Sequence, residues 1–271
     1  MKTNVLLGAA ILFLLVSCSV TTTLPSGMYL QNANIMEKPL YKGENESMIR
    51  VSGGYSYFET EPVETQAYPS FEIYEFESEI HSGFAELVYG SSRENFSYAF
   101  GLTGRYGTFK AKSNSPFLRS QDLDFTSFGL GGKANISYDI NNENVNLRLL
   151  QFQVGLSRDF GDYSTIREDW DRLSIFDEVH PEDALIWDIS LSTIVRFKIK
   201  EVIRARAGGG IGYSIVTDAF ENQALFQVEA GLGYKAFDIT VSSVSTLSLE
   251  STNASLYKVA LGYRIPLKGK I

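Results

Sequence analysis

The chain of 271 residues has a single cysteine and two histidines, and each scarcity removes a class of chemistry. Cys18 alone can close no disulfide within the chain, and it excludes metal centres built on several thiolates. His81 and His180 are the only imidazoles available for acid–base work. No metal site and no cofactor is expected. Basic residues are also in deficit, with 24 Lys and Arg against 32 Asp and Glu for a net charge of −8, which argues against nucleic acid as a partner. After Cys18, no apolar run approaches the roughly 20 residues of a membrane-spanning helix. If this chain crosses a membrane, it does so with strands.

What the sequence does have is alternation. Between residues 201 and 236, Ile203, Ala205, Ala207, Ile211, Tyr213 and Ile215 share one face, while Arg204, Arg206, Gly208, Gly210, Gly212 and Ser214 share the other. Past a short turn at 217–222, Phe226, Val228, Ala230, Leu232 and Tyr234 alternate with Gln227, Glu229, Gly231, Gly233 and Lys235. Strict period two marks strands. A water-soluble barrel or sandwich would bury the apolar row in a core. A membrane barrel would turn it to lipid and line its lumen with small and ionic residues. The rows carry Tyr or Phe at or next to their ends, and aromatics make up 13% of the chain, which suits interfacial girdles and favours the membrane barrel.

The pattern recurs at 48–58, 96–106, 128–138, 150–156, 187–198, 237–247 and 254–267. A segment at 79–90 is ambiguous because Glu86 falls in phase with Phe84 and Val88. The phase slips near Leu149, as at a bulge. Long connections at 59–78, 108–123 and 161–183 alternate with brief ones at 91–94 and 141–144, as in barrels with short periplasmic turns and longer external loops. The expected fold is all-β: a closed antiparallel up-and-down transmembrane β-barrel of about ten strands, with eight as the alternative and both termini on the periplasmic side. Inward glycines at 101, 129, 131, 208, 210, 212, 231 and 233 would relieve crowding in so narrow a barrel.

The N-terminus carries a resemblance. Lys2, an apolar run at 5–16 and the sequence Leu15-Val16-Ser17-Cys18 form a secretory signal, and the last four residues resemble the lipobox of bacterial lipoproteins. That resemblance implies that Cys18 is acylated and becomes the new N-terminus, and Ser19 implies onward sorting to the outer membrane. It divides the chain into a signal peptide at 1–17, a lipidated tether at 18–46 and a barrel domain at 47–271. Gly262-Tyr263-Arg264-Ile265-Pro266-Leu267 resembles the assembly signal of outer-membrane barrels, but lacks its terminal aromatic. Pro39-Leu40 followed by Gly43-Glu44 is similar to lipid-anchored small barrels of unassigned function.

Catalytic patterns are few. His81 and Ser82 are neighbours on a strand and point to opposite faces, so they cannot act as base and nucleophile together. Asp122, Asp124, Asp177, His180 and Asp183 resemble the rim carboxylates and histidine of omptin proteases without that family's Asp-x-His pair. The main expectation is a non-catalytic structural or interaction protein of the envelope, porin-like in build. A narrow channel for small anions is the second reading and an omptin-like rim hydrolase the third. Outer-membrane lipid, lipopolysaccharide and periplasmic envelope proteins are the expected partners. Counting from the turns places Arg50, Arg196, Lys198, Arg204, Arg206, Lys235 and Arg264 in a basic vestibule at the periplasmic end of the lumen. Such a cluster must be paired internally, with Glu86, Glu229, Glu44 and Glu46 as candidate acids, or must hold an anion.

Overall fold

A computed structural model describes residues 36, 46–60, 63–66, 73–113, 123–142, 144–161, 185–200, 202–216, 222–246 and 254–267. Eleven strands run through them: β1 (Glu46–Thr60), β2 (Val63–Gln66), β3 (Ile73–Arg93), β4 (Phe96–Ser113), β5 (Leu123–Asn141), β6 (Val145–Gly161), β7 (Leu185–Lys200), β8 (Ile203–Val216), β9 (Asn222–Tyr234), β10 (Phe237–Thr246) and β11 (Ala254–Leu267). Each pairs antiparallel with its sequence neighbour from β3 onward, β1 pairs with both β11 and β3, and β2 pairs with β3 alone. The sheet therefore closes into a ten-stranded up-and-down barrel, with β2 as a short flap on the loop side. Closure leaves no open edge to be desolvated in lipid.

The expected loop at 59–78 is corrected in part. Its last residues extend β3 to Ile73, and Val63–Gln66 fold back against Ile73–Phe76. An acidic segment without alternation still pairs here because neighbouring β3 supplies a ready edge beyond the barrel rim. The bulge expected near Leu149 is present: register shifts between Arg148 and Gln151, leaving Leu149 and Leu150 both exposed.

Side chains follow the expected phase. Val51, Leu102, Leu130, Ile211, Leu232, Val241 and Leu261 lie exposed on the outer wall. Two aromatic girdles bound this belt. Phe96, Tyr98, Tyr138, Phe197, Tyr234, Phe237 and Tyr263 ring the turn end, whereas Tyr55, Tyr106, Phe128, Phe160, Trp187 and Phe226 ring the loop end. Neighbouring rings touch within each girdle, as in Phe96–Tyr138 at 5.3 Å, Phe237–Tyr263 at 4.9 Å and Phe128–Phe160 at 6.0 Å. An apolar belt between aromatic rings, around a polar interior, is the surface of a transmembrane β-barrel.

β3 resolves its ambiguity by turning apolar residues inward. Ile80 and Val88 are fully buried on the lumen side with Glu86, while Ala85, Leu87 and Tyr89 face out. The two-residue turns place Glu94 and Lys235 at positive φ, 52° and 53°.

Candidate functional site

The lumen is packed with charge at the turn end, and glycine decides how the charges meet. Arg50 on β1 and Arg264 on β11 are directly opposed in register, a repulsive placement for like charges. Asp238 on β10 lies between them. Its Oδ1 accepts from Arg50 Nη2 at 2.7 Å, and its Oδ2 is 3.5 Å from Arg264 Nε. Asp238 is opposite Gly262 on β11, and Gly262 is opposite Ser52 on β1. A Cβ at Gly262 would sit 2.6 Å from Arg50 Nη2 and 2.7 Å from Asp238 Oδ1, so the missing side chain is the space in which the ion pair forms. Arg206 repeats the device. It faces Gly231, which faces Thr240, and its Nη2 reaches across the glycine to donate to the Thr240 hydroxyl. A Cβ at Gly231 would meet Arg206 Nε at 2.8 Å, and one at Gly233 would meet Arg264 Nη2 at 2.9 Å.

The expected basic vestibule is thus divided. Arg50, Arg196 and Arg264 are buried, and Arg204 and Arg206 are half-buried on the lumen side. Lys198 is exposed at the rim opposite Arg204. Lys235 does not face the lumen. It occupies the exposed turn between β9 and β10, its ammonium 5.4 Å from the centre of the Tyr234 ring, because the hairpin is one residue tighter than simple alternation allows. Glu86 lies 3.7 Å from Arg50 and 3.8 Å from Lys133, and Glu229 lies 3.7 Å from Arg206. Asp238 was not foreseen as a partner, although its alternation with Phe237 and Ile239 puts it on the inward face. Glu44 lies outside the described residues.

Arg196, Arg204, Arg206 and Arg264 line one small open cleft with Gly231, Gly233 and Asp238. Two of these arginines, Arg196 and Arg206, are directly opposed across β7 and β8. Arg196 Nη1 donates to Asn146 Oδ1 at 3.4 Å, and Arg264 Nη2 donates to the carbonyl of Lys235 at 3.2 Å.

Deeper in the lumen, Met36 of the expected tether is buried inside the barrel. It packs with Val88 and Ala99, and its amide donates to Gln153 Oε1 at 2.9 Å. Gly101 makes this possible, since a Cβ there would stand 2.7 Å from Met36 Sδ. Beside it, Arg148 holds Asp139 in a two-pronged contact at 2.7 and 3.1 Å, and Ser97 donates to the same carboxylate at 3.1 Å. Neither Met36 nor the Asp139–Arg148 pair was foreseen as a lumen feature.

His81 and Ser82 do point to opposite faces, with Ser82 buried inward. His81 is not isolated, however. Its Nε2 is 2.6 Å from Glu79 Oε1, and its Nδ1 is hydrogen-bonded to the Tyr55 hydroxyl, all on the outer wall near the loop-end girdle. Of the omptin-like set, Asp122, Asp177, His180 and Asp183 lie outside the described residues, as does the side chain of Asp124. Among the described residues, no group of three or more His, Cys, Asp or Glu side chains is placed to hold a metal.

The sequence matches no protein-family model and no curated protein. Among solved structures, the chain is similar to the outer membrane protease OmpT of Escherichia coli, at 10% identity and a TM-score of 0.44 over 85% of this chain and 99% of that one. It is similar also to the β domain of the Bordetella autotransporter BrkA, at 11% identity and a TM-score of 0.43 over 82% and 99% of the two chains. For the outer membrane protein OprG of Pseudomonas aeruginosa the values are 10%, 0.40, 82% and 98%. Likenesses this distant transfer no activity.

Proposed function

We propose that this chain is a lipoprotein of the bacterial outer membrane, acylated at Cys18, with its termini on the periplasmic side, and that it serves the envelope without catalysis as a structural or interaction protein. The observation that carries this reading is the filled lumen. Met36 is wedged between Val88, Ala99 and Gln153, Glu86 bridges Arg50 and Lys133, and Asp238 joins Arg50 to Arg264. A barrel of this size encloses little more than its own side chains, and these among them are paired with one another across the lumen. The outer wall supports lipid as its first partner, with lipopolysaccharide and periplasmic envelope proteins as neighbours at the two rims. The interior disfavours the reading as a narrow anion channel.

Conductance across planar bilayers tests this directly. The wild-type barrel is expected to give no ion steps, while Met36→Gly gives small ones. Steady open-pore conductance by the wild-type protein would overturn the sealed reading in favour of the anion channel.

A further inference from the structure

A polar cluster stands on the outer wall where the lipid belt gives way to water, and register stacks it in three rows across β1, β3 and β4. Tyr55, Gly83 and Tyr106 form the first row, at the level of the loop-end girdle. Tyr57, His81 and Thr108 form the second, and Glu79 and Lys110 face each other in the third. Each row lies two residues farther along its strands, so the cluster climbs from the girdle into the headgroup layer. His81 is fixed at its centre. The ring Nε2 is 2.6 Å from Glu79 Oε1, its Nδ1 is bonded to the Tyr55 hydroxyl, and the Tyr57 ring centre lies 5.1 Å from its own. The His81 and Glu79 side chains nevertheless stay 35% and 36% exposed, with Thr108 and Lys110 exposed beside them. Charge on a barrel's lipid face is costly at the bilayer middle and cheap only near the interface, which is where these groups stand.

These groups match a headgroup that carries both hydroxyls and phosphate. A carboxylate only accepts, the hydroxyls of threonine and tyrosine donate and accept, and a lysine ammonium binds phosphate as a point charge. A choline or ethanolamine headgroup has no hydroxyl to offer them, whereas a phosphorylated sugar has several. Beneath the cluster the wall is bare. Gly53, Ala85 and Gly104 form the next row down, with Gly83 above them. A Cβ at Gly83 would meet nothing nearer than 3.9 Å, and one at Gly104 nothing nearer than 3.7 Å, so a hollow spans three strands. At the usual strand spacing it is roughly 10 Å wide, room for more than one acyl chain. We propose that this face of β1, β3 and β4 binds a glycolipid with a phosphorylated sugar headgroup, the chemistry of lipopolysaccharide. Lys110 takes the phosphate, Glu79 and Thr108 take sugar hydroxyls, and His81 is a positioning residue that holds Glu79 and Tyr55 in place. The inference rests on lipopolysaccharide as a partner of the outer wall, proposed above, and assigns it one place there. The two fail separately, since insertion into lipid of any composition reads the wall and preference among headgroups reads the cluster.

The test uses the full-length protein folded in a neutral detergent and titrated in separate arms with lipid A, lipid A stripped of its phosphates, phosphatidylethanolamine and phosphatidylglycerol. Native mass spectrometry counts the lipids retained, and the unfolding midpoint rises with the concentration of any lipid that binds the folded barrel. Lipid A is expected to bind saturably, and both phospholipids about tenfold or more weakly. Lys110→Gln is expected to weaken binding of intact lipid A about tenfold and to leave the stripped form unchanged. Glu79→Gln should weaken both forms about tenfold, the loss of one hydrogen bond to a charged group. Lys235→Gln, which removes the same charge from the exposed turn at the other end of the barrel, should change neither. Equal affinity for either phospholipid would overturn the proposal, as would undiminished affinity for lipid A in a folded Glu79→Gln/Lys110→Gln variant.

Discussion

Replacing Asp238 by Asn removes the charge that holds Arg50 and Arg264 together, and its cost can be sized from the geometry. The Arg50 and Asp238 side chains are only 3% and 6% exposed, so solvent and salt screen the pair little. Removing one partner of a buried ion pair costs about 3–5 kcal/mol, because the other charge is stranded. Here two guanidinium groups lose a partner at once, one a 2.7 Å contact and the other a 3.5 Å one, while Arg50 keeps Glu86 at 3.7 Å and Arg264 keeps the Lys235 carbonyl. With two partners lost and two kept, the expected loss is in the middle of that range, about 4 kcal/mol. Urea unfolding in lipid vesicles, followed by the gel shift between folded and heated protein, measures it. With a slope of about 2 kcal/mol per molar, the midpoint is expected to fall by roughly 2 M. Arg50→Met should cost less, since Asp238 keeps Arg264 and Glu86 keeps Lys133. The double variant should be less destabilised than the two singles added together. A midpoint shift of less than about 0.5 M in Asp238→Asn would refute the reasoning, because it would mean that water already shares the pair.

Leu232, 58% exposed on the outer wall, faces the lipid belt; Leu232→Arg is expected to cost about 2–4 kcal/mol in the same unfolding assay and to slow assembly. Gly101→Val drives a side chain into Met36 Sδ, 2.7 Å from the new Cβ, and should give conductance steps in planar bilayers at a stability cost of about 1–3 kcal/mol. Lys235→Gly should raise stability by about 0.5–1 kcal/mol in the same unfolding assay by relieving a residue held at φ 53°. Cys18→Ala should abolish incorporation of labelled palmitate while the barrel still fractionates with membranes, because the strands supply their own affinity for lipid. Recovery of that variant as a soluble periplasmic protein would refute this.

The strands were legible because the environment on each side of the wall is uniform. Lipid accepts only apolar groups, so rows such as Phe226 to Tyr234 announce themselves. Legibility failed wherever the lumen was not uniform. Ile80 and Val88 face inward on β3, where Met36 gives Val88 an apolar neighbour, and so the period-two signal of that strand lost its sign. Met36 itself stands in a polar segment with no periodic context to mark it. The basic vestibule was readable as a set of residues, since phase and distance from a turn place Arg204, Arg206 and Arg264. Its counter-charge was not, because the meeting of Asp238 with Arg50 depends on Gly262 standing between them, a relation set by the register of three strands. Lys235 was misplaced for the opposite reason: alternation was carried one residue too far, into a turn.

The charge-over-glycine arrangement limits how this interior can change over evolutionary time. Because Arg50 and Asp238 meet in the space above Gly262, and Arg206 lies over Gly231, a small residue on one strand and a long one on the next are a single unit of inheritance. A mutation that enlarges Gly262 is harmful while Arg50 is present, and shortening Arg50 strands nothing only if a larger residue can follow at position 262. Descendants of this chain should therefore trade these positions in pairs, so that the lumen passes between alternative fillings by coupled steps while the lipid-facing wall drifts one residue at a time.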